Sequence, residues 1–479
     1  MFIRQDAWSL QPEKEPWDPI LLAYAYAVRK MRERPDDDPT SWAYQANIHG
    51  TARETPPGAK WNQCQHGSWH FLPWHRMYIY YFERLIRALM PEVGGPEDWA
   101  LPYWNYGRGD ATVRALPPAF REVSLPDGSP NPLLVANRGD RINDGLQLTP
   151  KTVDAEAALA FINFAPNPPP GFGGVRLPPT QFQRYPGKLE SYPHNVIHDG
   201  VGGLMGHPRT AAQDPIFWLH HSNIDRLWVH WIRSGGGRAN PSEKEDWLDI
   251  SFDFYDERGQ LVKLTSADVL DTGKQLEYRY DIELPAVSRT PVPGAYLTRA
   301  MSPPAREEAE EELVAASEEP VQLTGRSQAM KLPLPEVARR TALRAAANID
   351  DEQVYLRVEG LDTENDHNVV YGVYVGLPSE LGDGERADDY FVGLLSFFGA
   401  SQQRDIRAPG DGPPGLTYTF DITALVQDLQ QRQRWNDDEL TVTFVPEEPT
   451  MPDGEVVSAA RPDLPDAKIG RVSLFRVPS

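Results

Sequence analysis

The 479-residue chain has one cysteine, Cys64. An intramolecular disulfide is therefore impossible, and a cysteine-built zinc site lacks ligands. It has no apolar run approaching the ~18 residues that cross a bilayer, so no membrane-spanning helix is expected. Met1 to Trp17 carry charges and proline where a signal peptide needs an apolar stretch. No Asn-x-Ser/Thr sequon is usable, because Asn240-Pro241-Ser242 is blocked by its proline. These absences lead us to expect a cytoplasmic location, with export alongside a partner left open. Positive charge is scarce: 47 Lys+Arg against 69 Asp+Glu give a net charge of −22, which argues against non-specific nucleic-acid binding.

The rest of the composition is that of a folded protein. Hydrophobic residues make up 40% and aromatics 10%, which argues against global disorder. The length is two or three times that of a ~150-residue domain, so two domains are the default. Ile20, Leu21, Tyr24, Val28 and Met31 recur at helical spacing, with Asp18 as cap and Pro19 at the first helical position. Tyr78–Leu89 and Pro215–Ile232 are two further helical candidates. Pro and Gly crowd residues 110–187, which read as long ordered surface loops.

The composition changes near Leu297. Glu307–Glu319 holds seven glutamates and reads as an acidic, partly helical linker. Beyond Ala345 the period becomes two. Val354–Val358, Val369–Val375, Tyr390–Phe398, Thr417–Ile422, Leu440–Val445 and Arg471–Val477 read as strands of an antiparallel sandwich or barrel. The expected fold class is α+β: a mainly helical domain over residues 1–296, an acidic proline-containing linker over 297–345, and a β-rich domain over 346–479.

The informative residue type is histidine. Eight of eleven fall within residues 66–75 and 194–221, and His49 lies just upstream. His194 and His198 are four apart, which on a helix puts both rings on one face at a bite distance for one metal. The His220-His221 pair can supply a third ligand. On the other side His75, His66 and His49 can converge. A lone buried histidine is more often a satisfied core residue than a ligand. Two matched sets in aromatic sequence are hard to explain as core, because desolvating so many titratable rings without partners is costly. Imidazole-only sets suit zinc, copper, nickel or iron. A single zinc would leave one set idle; the spacing prefers a binuclear site without identifying the metal.

These motifs resemble those of the type-3 copper tyrosinase and catechol oxidase (polyphenol oxidase) family. His66 and His75, with Phe71-Leu72-Pro73-Trp74-His75-Arg76, are similar to its first copper motif. His194-Asn195-x-x-His198 and Asp214-Pro215-Ile216-Phe217-x-x-His220-His221-x-x-x-Asp225-Arg226-x-Trp228 are similar to its second. The resemblance implies two copper ions, one held by His49, His66 and His75, the other by His194, His198 and His221, inside a four-helix bundle. His220 and His70 are then non-ligands. Trp247 through Tyr280 resembles the segment that closes the catalytic domain of plant enzymes, whose C-terminal domain shields the site in a latent form.

The resemblance also implies finer roles. Cys64, two before His66, stands where some branches form a thioether to the histidine ring. Glu190 and Asn195 match a pair that holds a water able to take a phenol proton. Asp199 adds negative charge at the expected pocket mouth, which favours amine-bearing phenols. Gly203, Met205, His207 and Phe217 are assigned to the substrate pocket, and Pro208 replaces a gating phenylalanine there. The implied function is dioxygen-dependent oxidation of small phenols to o-quinones, with ortho-hydroxylation of monophenols, from a latent proenzyme. An o-aminophenol oxidase and a haemocyanin-like oxygen carrier share the same ligands. Neither nucleic acid nor membrane is an expected partner.

Overall fold

A computed structural model of the chain describes residues 1–10, 16–109, 111–139, 141–166, 171–281, 311–335, 352–365, 367–382, 384–403, 413–460 and 464–478. Helix α1 (Pro19–Arg32) starts where the Asp18 carboxylate accepts the Ile20 N–H at 2.8 Å, and it buries Leu21, Tyr24, Val28 and Met31. Helix α2 (Trp42–His49) is capped by the Ser41 hydroxyl, which accepts the Tyr44 N–H at 3.1 Å. Helix α3 (Phe71–Ala88) begins at Phe71 rather than at Tyr78. Its first turns, Phe71 to Tyr78, are buried on every side, so no amphipathic period marks them. Two short helices follow, α4 (Met90–Val93) and α5 (Glu156–Ala160). Then come α6 (Val196–Val201) and the long α7 (Ile216–Arg233), which packs on α3.

The helical half is locked by a buried ionic network. Strand β1 (Phe2–Arg4) pairs in parallel with a strand from the far end of this half, Tyr278–Tyr280. The Arg4 guanidinium reaches Glu83 of α3 at 2.7 Å and Asp225 of α7 at 3.3 Å. Arg76 of α3 also pairs with Asp225 and lies 3.6 Å over the Trp228 ring. The Tyr278 and Tyr280 hydroxyls each donate to Asp225 at 2.6 Å. One carboxylate thus ties α3, α7 and both ends of the half together. Between the two stands the hairpin β2 (Ser251–Tyr255) and β3 (Leu261–Thr265), so Tyr278–Tyr280 is β4.

Among the described residues the C-terminal half holds nine strands: β5 (Glu312–Ala316), β6 (Val321–Leu323), β7 (Gln328–Pro333), β8 (Glu352–Thr363), β9 (Tyr371–Val375), β10 (Phe391–Leu395), β11 (Leu416–Asp421), β12 (Glu439–Pro446) and β13 (Ala467–Pro478). One sheet runs β10-β9-β12-β7. The other runs β11-β8-β13-β5, with β6 also on β13. Every pairing is antiparallel. Leu440, Val442 and Phe444 alternate inward along β12 to meet Leu356, Val358 and Leu474 of the other sheet in one core. Helix α8 (Thr423–Gln431) closes one edge of that core with Leu425, Val426 and Leu429.

The coarse architecture follows expectation: a helical half and a β-rich half. All six expected strands form. The linker reading needs correction over its described part, residues 311–335. Three strands lie there, and Glu312–Ala316 is extended rather than helical, with the Glu312 carboxylate on Arg476 of β13. Local glutamate content hid a strand whose partner is far along the chain. The remainder of the expected linker, including Glu307–Glu310, lies outside the described residues.

Replacing Asp225 by Ala strands two buried guanidinium groups and two hydroxyls. A loss of about 3–5 kcal/mol is expected, read as a fall in the denaturant midpoint of the purified protein. Asp225→Asn is expected to lose less, because it keeps an acceptor.

Candidate metal centre

Each histidine is delivered by a different local device. His49 is the last residue of α2. His75 sits one turn into α3. His66 lies on the loop between them, held by backbone hydrogen bonds from His66 N to Gln181 O at 3.1 Å and from Gln183 N to His66 O at 2.9 Å. Its ring stacks on Phe182 at 5.4 Å. His194 belongs to a wide turn, Glu190–Asn195, that runs directly into α6, and His198 is in α6 itself. His220 and His221 are in the second turn of α7. The Asp214 carboxylate starts α7 by accepting the Ile216 N–H, and Arg138 grips its two oxygens at 2.8 Å each.

The rings form two facing triangles. In the first, centroids are 5.3 Å (His49–His66), 5.6 Å (His49–His75) and 5.3 Å (His66–His75) apart. In the second they are 4.6 Å (His194–His198), 4.9 Å (His194–His221) and 5.7 Å (His198–His221) apart. The triangles touch through His75 and His221, stacked at 4.4 Å, and through His66 and His194 at 5.9 Å. Phe217 packs beneath them, 4.9 Å from His49 and 4.2 Å from His221.

Hydrogen bonds set the tautomers. His49 Nδ1–H donates to Pro208 O, His75 Nδ1–H to Phe71 O, and His198 Nδ1–H to Met205 O, each at 2.8 Å. His194 Nδ1–H donates to Asn195 Oδ1 at 2.8 Å. A carbonyl can only accept, so in these four rings Nε2 carries the lone pair. All six rings of the two triangles have a buried Nε2 with no hydrogen-bond partner among the described residues. Burial pushes His49 and His194 down to about 3, and it holds His66, His75, His198 and His221 well below the ordinary imidazole range. Ring nitrogens of His49, His75 and His221, and of His194, His198, His220 and His221, converge within 4.8 Å of one another, while His66 groups with His49 and Cys64; buried neutral imidazoles gathered in this way fit imidazole-binding metals.

His220 comes closer than the sequence implied. Its ring nitrogen lies within 4.8 Å of those of His194, His198 and His221, while its Nδ1 is 3.3 Å from the Tyr106 hydroxyl. His70 stands apart, accepting from the Trp69 indole at 3.0 Å. Cys64 is buried, and its Sγ lies within 4.8 Å of ring nitrogens of His49 and His66. The Glu190 carboxylate accepts the Gly67 N–H through both oxygens at 2.8 and 3.0 Å, and burial pushes it up to about 8. Glu190, Asn195, His66 and Pro208 line a partly open pocket of about 240 Å³, open solvent included.

Four pocket assignments sit differently from expectation. Met205 is fully buried and holds His198 through its carbonyl. Gly203 has a positive φ of 57° and lies against Asn137, whose carbonyl oxygen would be 1.9 Å from an added Cβ. His207 accepts the Arg209 N–H and faces Gln402 of the C-terminal half at 2.9 Å. Asp199 is 2% exposed rather than open at a mouth.

The resemblance implied a C-terminal domain over the centre but not which residues of it reach the rings. After Leu395 the chain leaves β10 instead of continuing as strand to Phe398. Phe398 stacks on His198 at 4.0 Å and 14°, and lies 5.8 Å from His194 and 6.0 Å from His66. Gly399, at φ 81°, turns the chain back beside Pro208. The Asp199 carboxylate accepts the Ser396 hydroxyl at 2.6 Å and the Phe397 N–H at 2.9 Å. Further ties cross between the halves: Lys188 Nζ to Thr419 O at 2.8 Å, Arg184 to Pro413 O at 2.8 Å, and the paired backbones of Gln147 and Thr450. The only sequence signal was an aromatic pair followed by glycine at a strand end.

A helical half that gathers buried imidazoles, covered by a β-rich half, defines a class of metal-binding protein with a shielded centre. The comparisons agree. A family model of the common central domain of tyrosinase matches residues 39–149 and 175–234, and one of the polyphenol oxidase middle domain matches 242–292. A domain of unknown function matches 310–477. The chain is 32% identical to Tyrosinase HcTyr1 of Hahella sp. (strain CCB-MM4), covering 99% of each. It is 30% identical to the latent form of the chloroplastic polyphenol oxidase of Prunus armeniaca, over 90% of this chain and 71% of that one. The solved structure of latent apple tyrosinase superposes with a TM-score of 0.62, covering 100% of this chain and 97% of that one; at 24% identity this bears on the fold alone. The chain belongs to the tyrosinase and polyphenol oxidase family and is an oxidoreductase of that family, whose members bind copper.

With metal removed by chelation, stability is expected to fall with pH. The folded state keeps these rings neutral, whereas the unfolded chain binds protons below about 6.5. The contribution is whole above that value and is lost as pH falls toward the folded values, about 3 for His49 and His194. Each ring costs up to about 1.4 kcal/mol per pH unit. Thermal midpoints of the stripped protein at pH 7, 6 and 5 should decline steadily; a flat series contradicts the tautomer assignment.

Proposed function

We propose that this chain is a latent phenol oxidase, holding one copper ion on His49, His66 and His75 and a second on His194, His198 and His221. The observation that carries this reading is the pair of adjoining imidazole triangles, whose buried Nε2 atoms have no hydrogen-bond partner among the described residues. The substrates are small phenols: o-diphenols oxidised to o-quinones by dioxygen, and monophenols first hydroxylated ortho to the oxygen. Bound copper supplies the electron exchange with dioxygen, which no side chain here can provide.

The protein's own groups do the rest. Carbonyls of Pro208, Phe71 and Met205 fix three rings in the metal-binding tautomer. A thioether between Cys64 and the His66 ring would remove the ring's remaining freedom, since neither ring nitrogen of His66 has a hydrogen-bond partner among the described residues. Glu190 and Asn195 share the pocket with His66. Burial pushes the Glu190 carboxyl up to about 8, so the ionised fraction able to accept the proton of an incoming phenol grows as pH rises toward and past that value. Phe217 buttresses the rings from beneath.

Phe398 accounts for latency in this reading. Its ring occupies the face of His198 that an aromatic substrate would need. The C-terminal half therefore has to move, or be cut away, before a phenol can enter.

Elemental analysis of the loaded protein is expected to give two copper ions per chain. Oxygen uptake with catechol, tyramine and 2-aminophenol then separates oxidase, hydroxylase and aminophenol oxidase, while oxygen binding without catechol consumption identifies a carrier.

Phe398→Ala in the full-length chain should raise catechol oxidation without proteolysis. Burying a phenylalanine is worth about 1.5–3 kcal/mol, so the accessible fraction should rise roughly ten- to a hundredfold. An unchanged rate would remove Phe398 from the latency mechanism.

A further inference from the structure

Residues 137–139 fall in the stretch that the sequence marks as surface loop, yet they bridge the two helices that carry the second triangle. The Arg138 side chain is fully buried, and each of its N–H donors is used. Nε and Nη2 grip the two oxygens of Asp214 at 2.8 Å each, and Nη2 also donates to Leu133 O at 2.9 Å. Nη1 donates to Phe120 O at 2.7 Å and to Asn143 Oδ1 at 3.0 Å. Asp214 in turn accepts the Ile216 N–H at 3.1 Å, which sets the start of α7 a little over one turn before His221. The neighbouring backbone holds the other helix. The Gly139 N–H donates at 2.8 Å to the carbonyl of Val201, the last residue of α6. Gly203, at φ 57°, packs so closely on this loop that an added Cβ would lie 1.9 Å from Asn137 O and 2.8 Å from Arg138 Cα. The turn that begins there delivers Met205, whose carbonyl orients His198.

We propose that Arg138 is a positioning residue for the second copper ion: its fork and the backbone beside it fix the separation of His198 and His221. This rests on the phenol-oxidase reading above and assigns a further residue to that site. Two ligands on separate helices serve one ion only if the helices keep their relative place to within a fraction of an ångström. Helix α6 is six residues long, too short to hold its own place, and its last carbonyls need donors from outside. Gly139 supplies one. At the start of α7 the buried Asp214 carboxylate needs two donors of matching shape, which a guanidinium fork gives and an ammonium does not. The His198–His221 centroid distance of 5.7 Å is thus set by one loop clamping the end of one helix and the start of the other. The first triangle is built differently. Among the described residues, no hydrogen bond joins residues 137–139 to α2, to α3 or to the loop carrying His66. His49 uses Pro208 O, but its ring is placed by α2.

The test is equilibrium binding of copper ion to the full-length, metal-free chain, measured in competition with a chromophoric chelator. Two parent chains separate the sites: His75→Ala leaves the second set intact, and His221→Ala leaves the first. Arg138→Met on the His75→Ala parent is expected to weaken copper binding roughly ten- to a hundredfold, the range for groups that orient a metal ligand. On the His221→Ala parent the same change should leave affinity where it was. Equal weakening in both parents is what a merely structural role would give, and it overturns the proposal, as does no weakening in either. Arg138→Lys keeps the charge and loses the fork. It should restore the thermal midpoint of the metal-free chain further than it restores copper affinity in the His75→Ala parent; full recovery of affinity by lysine overturns the proposal. If Arg138→Met fails to fold, Arg138→Lys in the two parents decides by the same comparison. Parents that bind no copper at all sink the two-site reading and the clamp with it. Parents that each bind one ion, with no selective loss on changing Arg138, sink the clamp alone.

Discussion

Everything in the helical half is organised around keeping six imidazole lone pairs buried, dry and aimed at one another. A buried nitrogen without a partner costs free energy, and here it is repeated on every ring of the two triangles. The surrounding structure supplies the compensation. Carbonyl acceptors fix the tautomers, Phe217 fills the space below, and the Asp225 network holds α3 and α7 at a fixed separation. Such an arrangement is stabilised by a ligand that wants neutral imidazoles, which is why local frustration is informative about function here.

The same reasoning explains the β-sandwich. A centre with open positions for dioxygen and a phenol would react with whatever diffuses in. Covering it with a segment of the same chain satisfies groups that would otherwise face water: Asp199 gains two donors, His198 gains a stacked ring, and Thr419 O receives a buried lysine. Lys188 shows the cost of that contact. Burial lowers it to about 8 despite the attraction of Asp421, so the closed interface keeps a charge that water would solvate better. Closure is therefore a balance of apolar plugging against desolvated charge.

Much of the centre was legible because its chemistry is local. His194 and His198 four apart, and the His220-His221 pair, announce a ligand set by spacing alone. The strands of the sandwich were legible by alternation, as in Leu440, Val442 and Phe444. Three things were not. Helix α3 starts early because its first turns are buried all round and have no period. Strand β5 hides in a glutamate-rich stretch, and β5 to β7 all pair with strands, β12 and β13, more than a hundred residues away. Phe397 and Asp199 meet across 198 positions of sequence, with Phe398 on His198 beside them, and nothing on either side of that contact marks the other.

Asp199 shows why the last kind of contact matters most for function. Read from sequence, an acid beside a metal-ligand motif is an exposed charge at a pocket rim. In the fold it is buried, and two of its partners come from the segment that blocks the pocket. A residue whose hydrogen bonds depend on closure must find new ones on opening, and the shape of what it lost limits what can replace it.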